Sequence, residues 1–523
     1  MYVATAREMQ NIDSRARDEY GIPTLLLMEN AALGVTHIVE DMIGAVRNKR
    51  ITIVSGKGNN GGDGIAAARQ LHNRGARVQV YLLSEPAALK GDAATNLGIA
   101  LKMGIDVQSK GMYDMQDLRI ALNHSNVIID AIFGTGLSAP VKGEYKEIIE
   151  LINSCNQPRV SVDIPSGINS DTGEVMGTAI KADTTVTFAI PKRGHLLYPG
   201  CEFTGKLHIA DISIPEAALK KESIYLHLLT EDDMRGLISP RPADSHKGSF
   251  GHILVIAGSI GKSGAAAMTS LAGLRTGAGL VTLATPESVQ PIVAERLTEV
   301  MTCPLAETGE KTIASSAVEK ILKFSEDKEV IAIGPGLTTH KDTATLVRRL
   351  IKDIEAPIII DADALNALSD HPEILRERRS PAILTPHPGE MGRLTGKSTA
   401  EVQKDRIGIS RDFATEYGVY LILKGAHTVI AEPSGEVYLS PTGNPGMATA
   451  GTGDALTGIL AGLISQGVDI SSAVRLGVYL HGLAGDIAAE EVGMIGMLAG
   501  DLINRIPAAI RKLNRKFDIK RSL

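Results

Sequence analysis

The chain has 523 residues, of which 44% are hydrophobic and 22% are charged. This composition is typical of globular proteins and excludes a largely disordered or fibrous chain. With 54 Lys and Arg against 60 Asp and Glu, and aromatic residues at only 3%, the chain lacks the broad basic surface and stacking side chains that favour nucleic-acid binding.

The segment from about residue 50 to 190 alternates short β-branched runs with helical stretches. Strands are predicted at residues 51–54, 78–83, 127–133 and 160–163. Strand, loop and helix repeated in this way indicate a parallel sheet with helices on both faces. The nearly continuous apolar character of these strands fits a sheet that is buried on both sides.

The same alternation starts again after a charged stretch around residues 215–230. Strands are predicted at residues 253–258, 330–334, 358–361, 383–385 and 420–424. We therefore expect a boundary near residue 222 between two α/β domains, 1–222 and 223–515, followed by a basic tail at 516–523.

The cysteines and the apolar runs bear on the cellular compartment. Cys155, Cys201 and Cys303 stand far apart, without metal-ligand or redox spacing, so a reducing compartment is the simplest interpretation. The first residues contain no apolar signal core, and no run of 18 apolar residues occurs. These features predict a cytoplasmic protein.

A glycine-rich segment at residues 56–64 lies between a predicted strand and a predicted helix. Glycines there let backbone N–H groups turn toward an anion, and the helix N-terminus adds partial positive charge. The segment is neither a dinucleotide fingerprint nor a Walker A loop. Two Asn and one Asp among its glycines favour a ligand site over a purely structural turn.

Two aspartates end hydrophobic strands and precede small-residue loops. Asp130 opens the segment 130–136, and Asp163 opens the segment 163–167. Ligands of open parallel sheets bind at the carboxyl ends of strands, where two carboxylates can hold a cation or move protons. Capping of the following helix is the alternative for each aspartate.

Together with residues 191–195, these segments resemble the N-terminal domain of bifunctional NAD(P)H-hydrate repair enzymes, which is an NAD(P)H-hydrate epimerase with a Rossmann-like three-layer fold. The resemblance implies that Asp163 contacts the substrate as an acid or base. It implies that a potassium ion is held by Asn60, Asp130 and Ser166. It implies a hydrate site lined by Asn59, Asn60, Gly61, Gly62, Asp63, Gly134, Thr135, Gly136, Leu137, Ser138, Ala139 and Pro140.

Inversion of the hydrate at C6 needs a proton donor and a proton acceptor near one carbon. Asp163 is the first candidate for this chemistry and Lys192 is the second. A phosphate contact or a solvated loop position are the alternatives for Lys192.

The segment 444–454 ends in Gly-Thr-Gly-Asp and leads into a helical stretch. Successive backbone N–H groups at a helix N-terminus form an anion hole for a transferring phosphoryl group. Asp454, at the end of that hole, can accept the proton of an attacking hydroxyl. A helix N-cap is the alternative for Asp454.

This pattern resembles the ribokinase-like superfamily, and the segments 241–248, 334–336, 360–366 and 385–391 resemble its NAD(P)H-hydrate dehydratase branch. The resemblance implies a ribokinase-like α/β domain in which Asp454 contacts the C6 hydroxyl as the base. It implies hydrate contacts from Gly336, His387, Pro388, Gly389, Glu390 and Met391. It implies a nucleotide site formed by Lys424, Gly425, Ala426, His427, Thr428, Asn444, Pro445, Gly446, Met447, Ala448, Thr449, Ala450, Gly451, Thr452 and Gly453.

Several of these residues have open alternatives from the sequence alone. His387 lies between two prolines and is equally compatible with a structural role. Asp361 and Asp363 could cap the ends of strands or could bind magnesium. Lys424 ends a strand, where it reaches either solvent or a phosphate. Thr452 replaces a serine common among relatives and keeps the hydroxyl.

The resemblance therefore implies metabolite repair, in which the R and S hydrates of NADH and NADPH (NADHX and NADPHX) are interconverted and the S form is dehydrated with ADP and magnesium. The sequence does not decide between ADP and ATP, and a homo-oligomer is expected only from the resemblance. A ribokinase-type small-molecule kinase with an accessory domain is one alternative. A first domain that is a non-catalytic nucleotide-sensing or protein-binding module is another.

Overall fold

A computed structural model describes residues 1–514, which divide into one compact unit of residues 2–224 and another that begins at residue 225. Each unit is a sheet with helices packed on its faces, as the α/β class predicts. The expected basic tail at 516–523 lies outside the described residues.

The N-terminal unit begins with two helices, and strands and helices then alternate as far as the fifth strand. Its helices are α1 (Ala6–Asp18), α2 (Thr24–Ile43), α3 (Asn59–Asn73), α4 (Gly91–Lys102), α5 (Met115–Asn123), α6 (Glu144–Ser154), α7 (Cys201–Thr204) and α8 (Glu216–Lys220). Its strands are β1 (Arg50–Ser55), β2 (Arg77–Leu82), β3 (Asp106–Ser109), β4 (Val127–Ala131), β5 (Arg159–Val162), β6 (Thr184–Phe188) and β7 (Lys206–Ala210).

The seven strands form one parallel sheet in the order β3-β2-β1-β4-β5-β6-β7. Neighbouring residues on one strand enter cores on opposite faces, because successive side chains of a strand point to opposite sides. Ile53 packs into one core and Val54 into the other, and Ile129 and Ile128 repeat the division on the next strand. Burial on both faces explains why these strands are apolar throughout.

Strand β4 ends two residues earlier than the predicted strand 127–133. The N–H group of Ile132 donates to the Asp130 carboxylate at 3.2 Å, and that of Phe133 donates to the Ser166 hydroxyl at 2.8 Å. Because these N–H groups donate to side chains, they are not available for hydrogen bonds to a neighbouring strand, and the chain turns after Ala131.

The C-terminal unit is larger and repeats the same architecture. Its strands are β8 (Leu226–Leu228), β9 (His252–Ile256), β10 (Leu280–Pro286), β11 (Met301–Leu305), β12 (Val330–Ile333), β13 (Ile358–Ile360), β14 (Ala382–Leu384), β15 (Tyr420–Leu423), β16 (Val429–Ala431) and β17 (Val437–Leu439). Its helices are α9 (Glu231–Met234), α10 (Ser263–Thr276), α11 (Gln290–Arg296), α12 (Val318–Ser325), α13 (Lys341–Asp353), α14 (Asp363–Leu368), α15 (Pro388–Thr395), α16 (Thr399–Lys404), α17 (Arg406–Tyr417), α18 (Thr452–Ser465), α19 (Ile470–Val492) and α20 (Ala499–Leu513).

Its ten-stranded sheet has the order β11-β10-β9-β12-β13-β14-β15-β16-β17-β8. The strands from β11 to β15 are parallel, whereas β16 runs antiparallel to both of its neighbours. Helix α18 is buried along most of its length against α10, because Gly458 and Gly462 let the two backbones approach closely. Among residues 1–514, no helix combines the length and apolarity that a membrane span requires.

Candidate active sites

The first candidate site lies at the carboxyl edge of the N-terminal sheet. Strands β1, β4, β5 and β6 are consecutive in the sheet, so the loops that follow them lie side by side. Every segment of this half that the sequence analysis selected follows one of these four strands.

The turn after β1 depends on close backbone contact. A side chain on Gly61 would overlap the carbonyl oxygen of Gly56, and one on Gly56 would overlap the carbonyl oxygen of Ile132. Glycine is therefore required at both positions, and the turn delivers residues 59–63 into the first turn of α3.

Asn60 is a buried residue with unmet hydrogen-bonding capacity. Its side-chain nitrogen and oxygen are both buried and have no hydrogen-bond partner in the described structure. A Cβ on Gly134 would lie 3.1–3.3 Å from this side chain, so Asn60 faces the turn that follows β4. An unpartnered buried amide is costly unless a ligand or ion completes it, and its oxygen suits a cation.

Asp130 and Ser166 meet beside that same turn. The Ser166 hydroxyl lies 2.5 Å from one carboxylate oxygen of Asp130, and its backbone N–H donates to the other at 2.9 Å. Ser161 adds a hydrogen bond of 2.8 Å. Asp130 is fully buried, and this burial raises its pKa although the hydrogen bonds oppose the rise. The helix-cap alternative for Asp130 is wrong, since its partners lie in the turns after β4 and β5.

Asp163 forms an ion pair with the most deeply buried lysine of the described chain. The Lys192 ammonium nitrogen, on a residue 1% exposed, lies 2.6 Å from the Asp163 carboxylate. Thr187 donates to the same oxygen at 3.0 Å. Burial alone would raise the pKa of Asp163, but Lys192 and these hydrogen bonds hold it below its usual value, so the group is a carboxylate at neutral pH. The solvated-loop alternative for Lys192 is therefore wrong.

His195 orients the loop that carries this pair. The backbone N–H of Lys192 donates to Nδ1 of His195 at 3.0 Å, and Nε2 lies 2.8 Å from the carbonyl oxygen of Asp163. With Nδ1 accepting, Nε2 must carry the proton and donate. Burial and the charge of Lys192 lower the pKa of His195 to about 4, so the ring is neutral at physiological pH.

The charges of Asp163 and Lys192 also affect the pKa values of two further carboxyl groups, Asp63 and Asp13. Burial raises the pKa of Asp63 well above its usual value, and the charges of Asp163 and Asp13 add to the rise. Burial likewise raises the pKa of Asp13 to about 6, where Lys192 opposes the rise. The site thus combines a carboxyl group with a lowered pKa, Asp163, and one with a raised pKa, Asp63.

Asp13 was missed by the sequence analysis, and a signal for it was available. It lies four residues after Met9 and three before Ala16, on the stripe of α1 that is buried. A carboxylate on the buried face of an amphipathic helix is unfavourable unless a partner or a function accounts for it.

The loop 134–140, which is expected to line the hydrate site, forms the outer rim of the first candidate site. Its residues Gly136, Ser138, Ala139 and Pro140 are exposed.

The second candidate site lies at the carboxyl edge of the C-terminal sheet, at the start of α18. Gly451 adopts a φ of 95°, and a side chain there would overlap Met268, so this position requires glycine. Gly451 is the N-cap and Asp454 is the third residue of the helix, so the N-cap alternative for Asp454 is wrong. The first N–H groups of a helix have no partner within the helix, so this turn can bind an anion, and its use as a phosphoryl site stays a prediction.

Asp454 titrates close to neutral pH in this setting. Burial raises its pKa to about 7, the charges of Asp361 and Asp363 add to the rise, and Lys424 opposes it. A carboxyl group with a pKa near the working pH is well suited to accept a proton from a hydroxyl.

Lys424 links this helix to the neighbouring strand ends. Its ammonium nitrogen lies 2.8 Å from the carboxylate of Asp361 and 3.9 Å from that of Glu390. A Cβ on Gly453 would lie 3.3 Å from the same nitrogen, so the positive charge sits against the first turn of α18. Burial alone would lower the pKa of Lys424, but the carboxylates of Asp361 and Glu390 raise it. Lys424 is therefore a cation that faces the site, not bulk solvent.

Contacts within the protein also bear on Asp361 and Asp363. Asp361 is 1% exposed and accepts from Lys424 and Thr457, so it is not a strand-end cap. Asp363 accepts from the backbone N–H of Thr338 at 2.8 Å and pairs with Lys262 at 3.2 Å.

His387 caps α15 in a reciprocal arrangement. Its Nδ1 accepts from the N–H groups of Gly389 and Glu390, and the Glu390 carboxylate accepts from the N–H of His387 at 2.8 Å. The ring is about half exposed, and its Nε2 lies 3.5 Å from the Glu390 carboxylate. Met391, by contrast, is fully buried, so its side chain belongs to the core.

Helix α19 contacts the loop 444–453 through two side chains, Asp486 and His481, that were not predicted from the sequence. Asp486 accepts from the Asn444 amide at 2.9 Å and from the N–H of Gly443 at 3.0 Å. His481 lies 2.8 Å from the carbonyl oxygen of Thr452, and burial lowers the pKa of His481 to about 4. Polar residues on the buried face of a long apolar helix were the available signal.

Across residues 1–514, no three His, Cys, Asp or Glu side chains are grouped so that they could hold a metal ion by themselves. The donors in the first site are instead an amide, a hydroxyl and a single carboxylate. Such a set suits a weakly bound monovalent cation better than a transition metal.

Comparison with known proteins supports the division into two enzymatic units. The family described as YjeF-related protein N-terminus matches residues 24–194, and the family described as NAD(P)H-hydrate dehydratase matches residues 253–508. The bifunctional NAD(P)H-hydrate repair enzyme Nnr of Moorella thermoacetica is 46% identical over 520 residues, covering 99% of this chain and 98% of that relative. The enzyme of the same name from Thermofilum pendens is 43% identical over 518 residues, with the same coverage.

Among solved structures, the ADP/ATP-dependent NAD(P)H-hydrate dehydratase of Bacillus subtilis, co-crystallised with ATP and Mg²⁺, is 33% identical with a TM-score of 0.49. It covers 55% of this chain and 99% of its own length. The full-length relatives favour hydrate repair over the kinase alternative. On their identity and coverage, the chain belongs to the family of bifunctional NAD(P)H-hydrate repair enzymes.

Proposed function

We propose that the N-terminal unit epimerises the R and S hydrates of NADH and NADPH, and that the C-terminal unit dehydrates the S form at the expense of ADP. The family supports both activities. The single observation that carries the assignment of roles is Asp454, placed at the anion-binding end of α18 with a pKa raised to about 7.

For the epimerase, we assign opposite proton roles to two carboxyl groups. C6 of the hydrate carries a hydroxyl next to the ring nitrogen, so protonation of that hydroxyl lets it leave as water and produces a cationic ring. The raised pKa of Asp63 suits the donor role, while ionised Asp163 suits the acceptor role and stabilises the cation. Return of water to the opposite face, with its proton taken up by the site, inverts C6.

For Lys192, we assign a supporting role. Its ammonium group keeps Asp163 ionised through the contact of 2.6 Å and also donates to the Phe188 carbonyl at 3.2 Å. It therefore fixes the carboxylate at the end of β5 without transferring a proton itself.

Potassium fits the turn that follows β4. Asn60 brings an unpartnered buried amide to this turn, and Asp130 and Ser166 bring oxygen atoms to it. When bound, the ion would balance the buried charge of Asp130. These side chains then fix residues 133–136 and, with them, the beginning of the rim loop.

For the dehydratase, Asp454 takes the proton of the C6 hydroxyl as the hydroxyl oxygen attacks the terminal phosphoryl group of ADP. The P–O bond that joins this group to AMP breaks, and AMP leaves with its electron pair. The N–H groups of residues 452–454 and the ammonium group of Lys424 stabilise the charge on that phosphoryl group. The phosphate then leaves C6 with the C–O electron pair, and loss of the C5 proton restores the ring double bond. Magnesium would accompany the nucleotide phosphates, since it is commonly bound through them with few protein ligands.

The remaining assigned residues follow the same division. We propose that the loop 134–140 and residues 59–63 contact the hydrate in the first site. Gly336 and residues 387–390 do so in the second, where the buried Met391 supports them from the core. Residues 424–428 and 444–453 contact the nucleotide. We also propose a homo-oligomer in the cytoplasm, which light scattering and cell fractionation test directly.

The test uses NADPH hydrate as separate R and S epimers. With ADP and magnesium, the protein should return the S epimer to NADPH directly, and the R epimer only after epimerisation. Asp454→Asn should abolish NADPH formation from either epimer but leave interconversion intact. Retention of NADPH formation by Asp454→Asn would overturn the assigned base.

A further inference from the structure

The deepest charged contact of the C-terminal unit involves a carboxylate without a role in the chemistry described above. Asp361 follows β13 directly and is 1% exposed. One of its oxygens accepts from the Lys424 ammonium at 2.8 Å, and the other accepts from the Thr457 hydroxyl at 2.9 Å. Both oxygens are therefore directed by groups from other elements.

These two partners connect Asp361 to two different elements of the second candidate site. Lys424 follows β15, and Thr457 lies one helical turn after Gly453 on α18. The ammonium nitrogen is held where a Cβ on Gly453 would lie 3.3 Å away. A single carboxylate thus fixes the position of the lysine relative to the helix N-terminus.

We propose that Asp361 is the positioning residue of the phosphoryl-transfer site: it holds the Lys424 ammonium against the first turn of α18, where the terminal phosphoryl group of a nucleoside diphosphate is bound. This inference rests on the proposed dehydratase function. Asp361 itself touches neither substrate nor nucleotide and acts through Lys424.

The hydrogen-bonding capacity of Lys424 supports this role. An ammonium group has three N–H donors, and within residues 1–514 Asp361 accepts the one hydrogen bond that the group makes. The other donors remain for phosphoryl oxygens. A lysine that is free to rotate among its conformers would lose this alignment, and misplacement by about 1 Å can cost about 10²-fold in rate.

Asp361 also affects the base electrostatically. Its charge raises the pKa of Asp454 and that of Lys424. Replacement by asparagine keeps the shape and removes the charge, so both pKa values should fall. Since Asp454 acts deprotonated and Lys424 acts protonated, both limbs of the pH profile of kcat should move to lower pH.

The experiment compares the full-length wild type with Asp361→Asn, Thr457→Val, Lys424→Met and the double variant Asp361→Asn/Lys424→Met, using the S hydrate and ADP. Glu432→Gln, which alters a buried carboxylate away from the site, and Thr276→Val, which removes a buried helical hydroxyl, are matched controls. We expect Asp361→Asn to lose about 10²-fold in kcat, Thr457→Val to lose less, and both controls to keep wild-type rates.

The double variant and the pH profile separate positioning from a general loss of structure. If Asp361 acts through Lys424, the double variant is no slower than Lys424→Met alone. Additive losses, or an Asp361→Asn profile that is lower at every pH without moving, would overturn the proposal. Failure of the dehydratase assignment itself would show differently, as absence of nucleotide-driven dehydration in the wild type.

Discussion

The Lys192 ammonium nitrogen and the Asp163 carboxylate lie 2.6 Å apart at the end of β5, in a place where Lys192 is almost completely buried. Burying one of these charges without the other would be strongly unfavourable. The pair therefore explains how an ionised carboxylate persists beside Asp63 and Asp13, whose pKa values are raised.

Asp163→Asn should abolish epimerisation, with a loss of at least about 10²-fold, because the proton acceptor is removed. It should also destabilise the N-terminal unit by about 3–5 kcal/mol, since Lys192 keeps a buried charge without a partner. The double variant Asp163→Asn/Lys192→Met should recover stability but not activity. Rates of interconversion of the separated epimers and thermal unfolding measure the two effects. Normal epimerisation by Asp163→Asn would remove this residue from the mechanism.

Epimerisation should fall as the pH rises through the raised pKa of Asp63. Asp63 has a raised pKa and must hold its proton to act as the donor, so its acid form disappears as the pH passes through that pKa. The ionised form of Asp163, with its lowered pKa, should be fully present throughout this range. Asp63→Asn should be inactive at every pH, whereas Asp13→Asn should shift the alkaline limb to lower pH, because it removes a charge that raises the pKa of Asp63. An unchanged alkaline limb in Asp13→Asn would argue against this coupling.

Replacing potassium by a larger organic cation should slow epimerisation and leave dehydration of the S hydrate unchanged. Asn60→Ala should have the same selective effect and should abolish the response to potassium, because the amide oxygen that faces the turn is lost. Equal epimerisation rates with potassium and with choline would contradict the proposed ion site.

The stability of the C-terminal unit should rise when the proposed base is removed. The pKa of Asp454 is raised to about 7 in the folded chain, so the unfolded chain ionises this group first and the fold loses stability as the pH rises from about 4 to 7. Asp454→Asn removes this penalty, which is on the order of 4 kcal/mol at pH 8. Denaturation curves without nucleotide should show a more stable variant at pH 8 and a difference that shrinks toward pH 4. A variant that is less stable at pH 8 would contradict the raised pKa.

The sequence was sufficient to predict both α/β units and the strand ends at which the candidate residues lie. Periodicity and glycine-rich turns locate Asp130, Asp163 and Asp454 because parallel strands present their carboxyl ends at one edge. Contacts between side chains that are far apart along the chain could not be predicted from the sequence. That Lys424 meets Asp361, 63 residues earlier in the chain, follows only from the order of β13, β14 and β15.

Strands β16 and β17 were not predicted from the sequence. They form an antiparallel pair outside the alternation of parallel strands and helices, whereas β13 and β14, which are equally short, stand within that alternation and were predicted. Asp13 escaped notice for another reason, since the site that it approaches is formed by loops more than 40 residues away along the chain.

Repair of both epimers by one chain is measured most directly by the return of dihydronicotinamide absorbance from an epimeric mixture of NADPH hydrate. The reaction contains magnesium and potassium, with ADP, with ATP or with neither nucleotide. We expect complete recovery with ADP and none without nucleotide. With Asp163→Asn, recovery should slow sharply after the S fraction is consumed. No recovery with either nucleotide in the wild type would contradict the proposed repair.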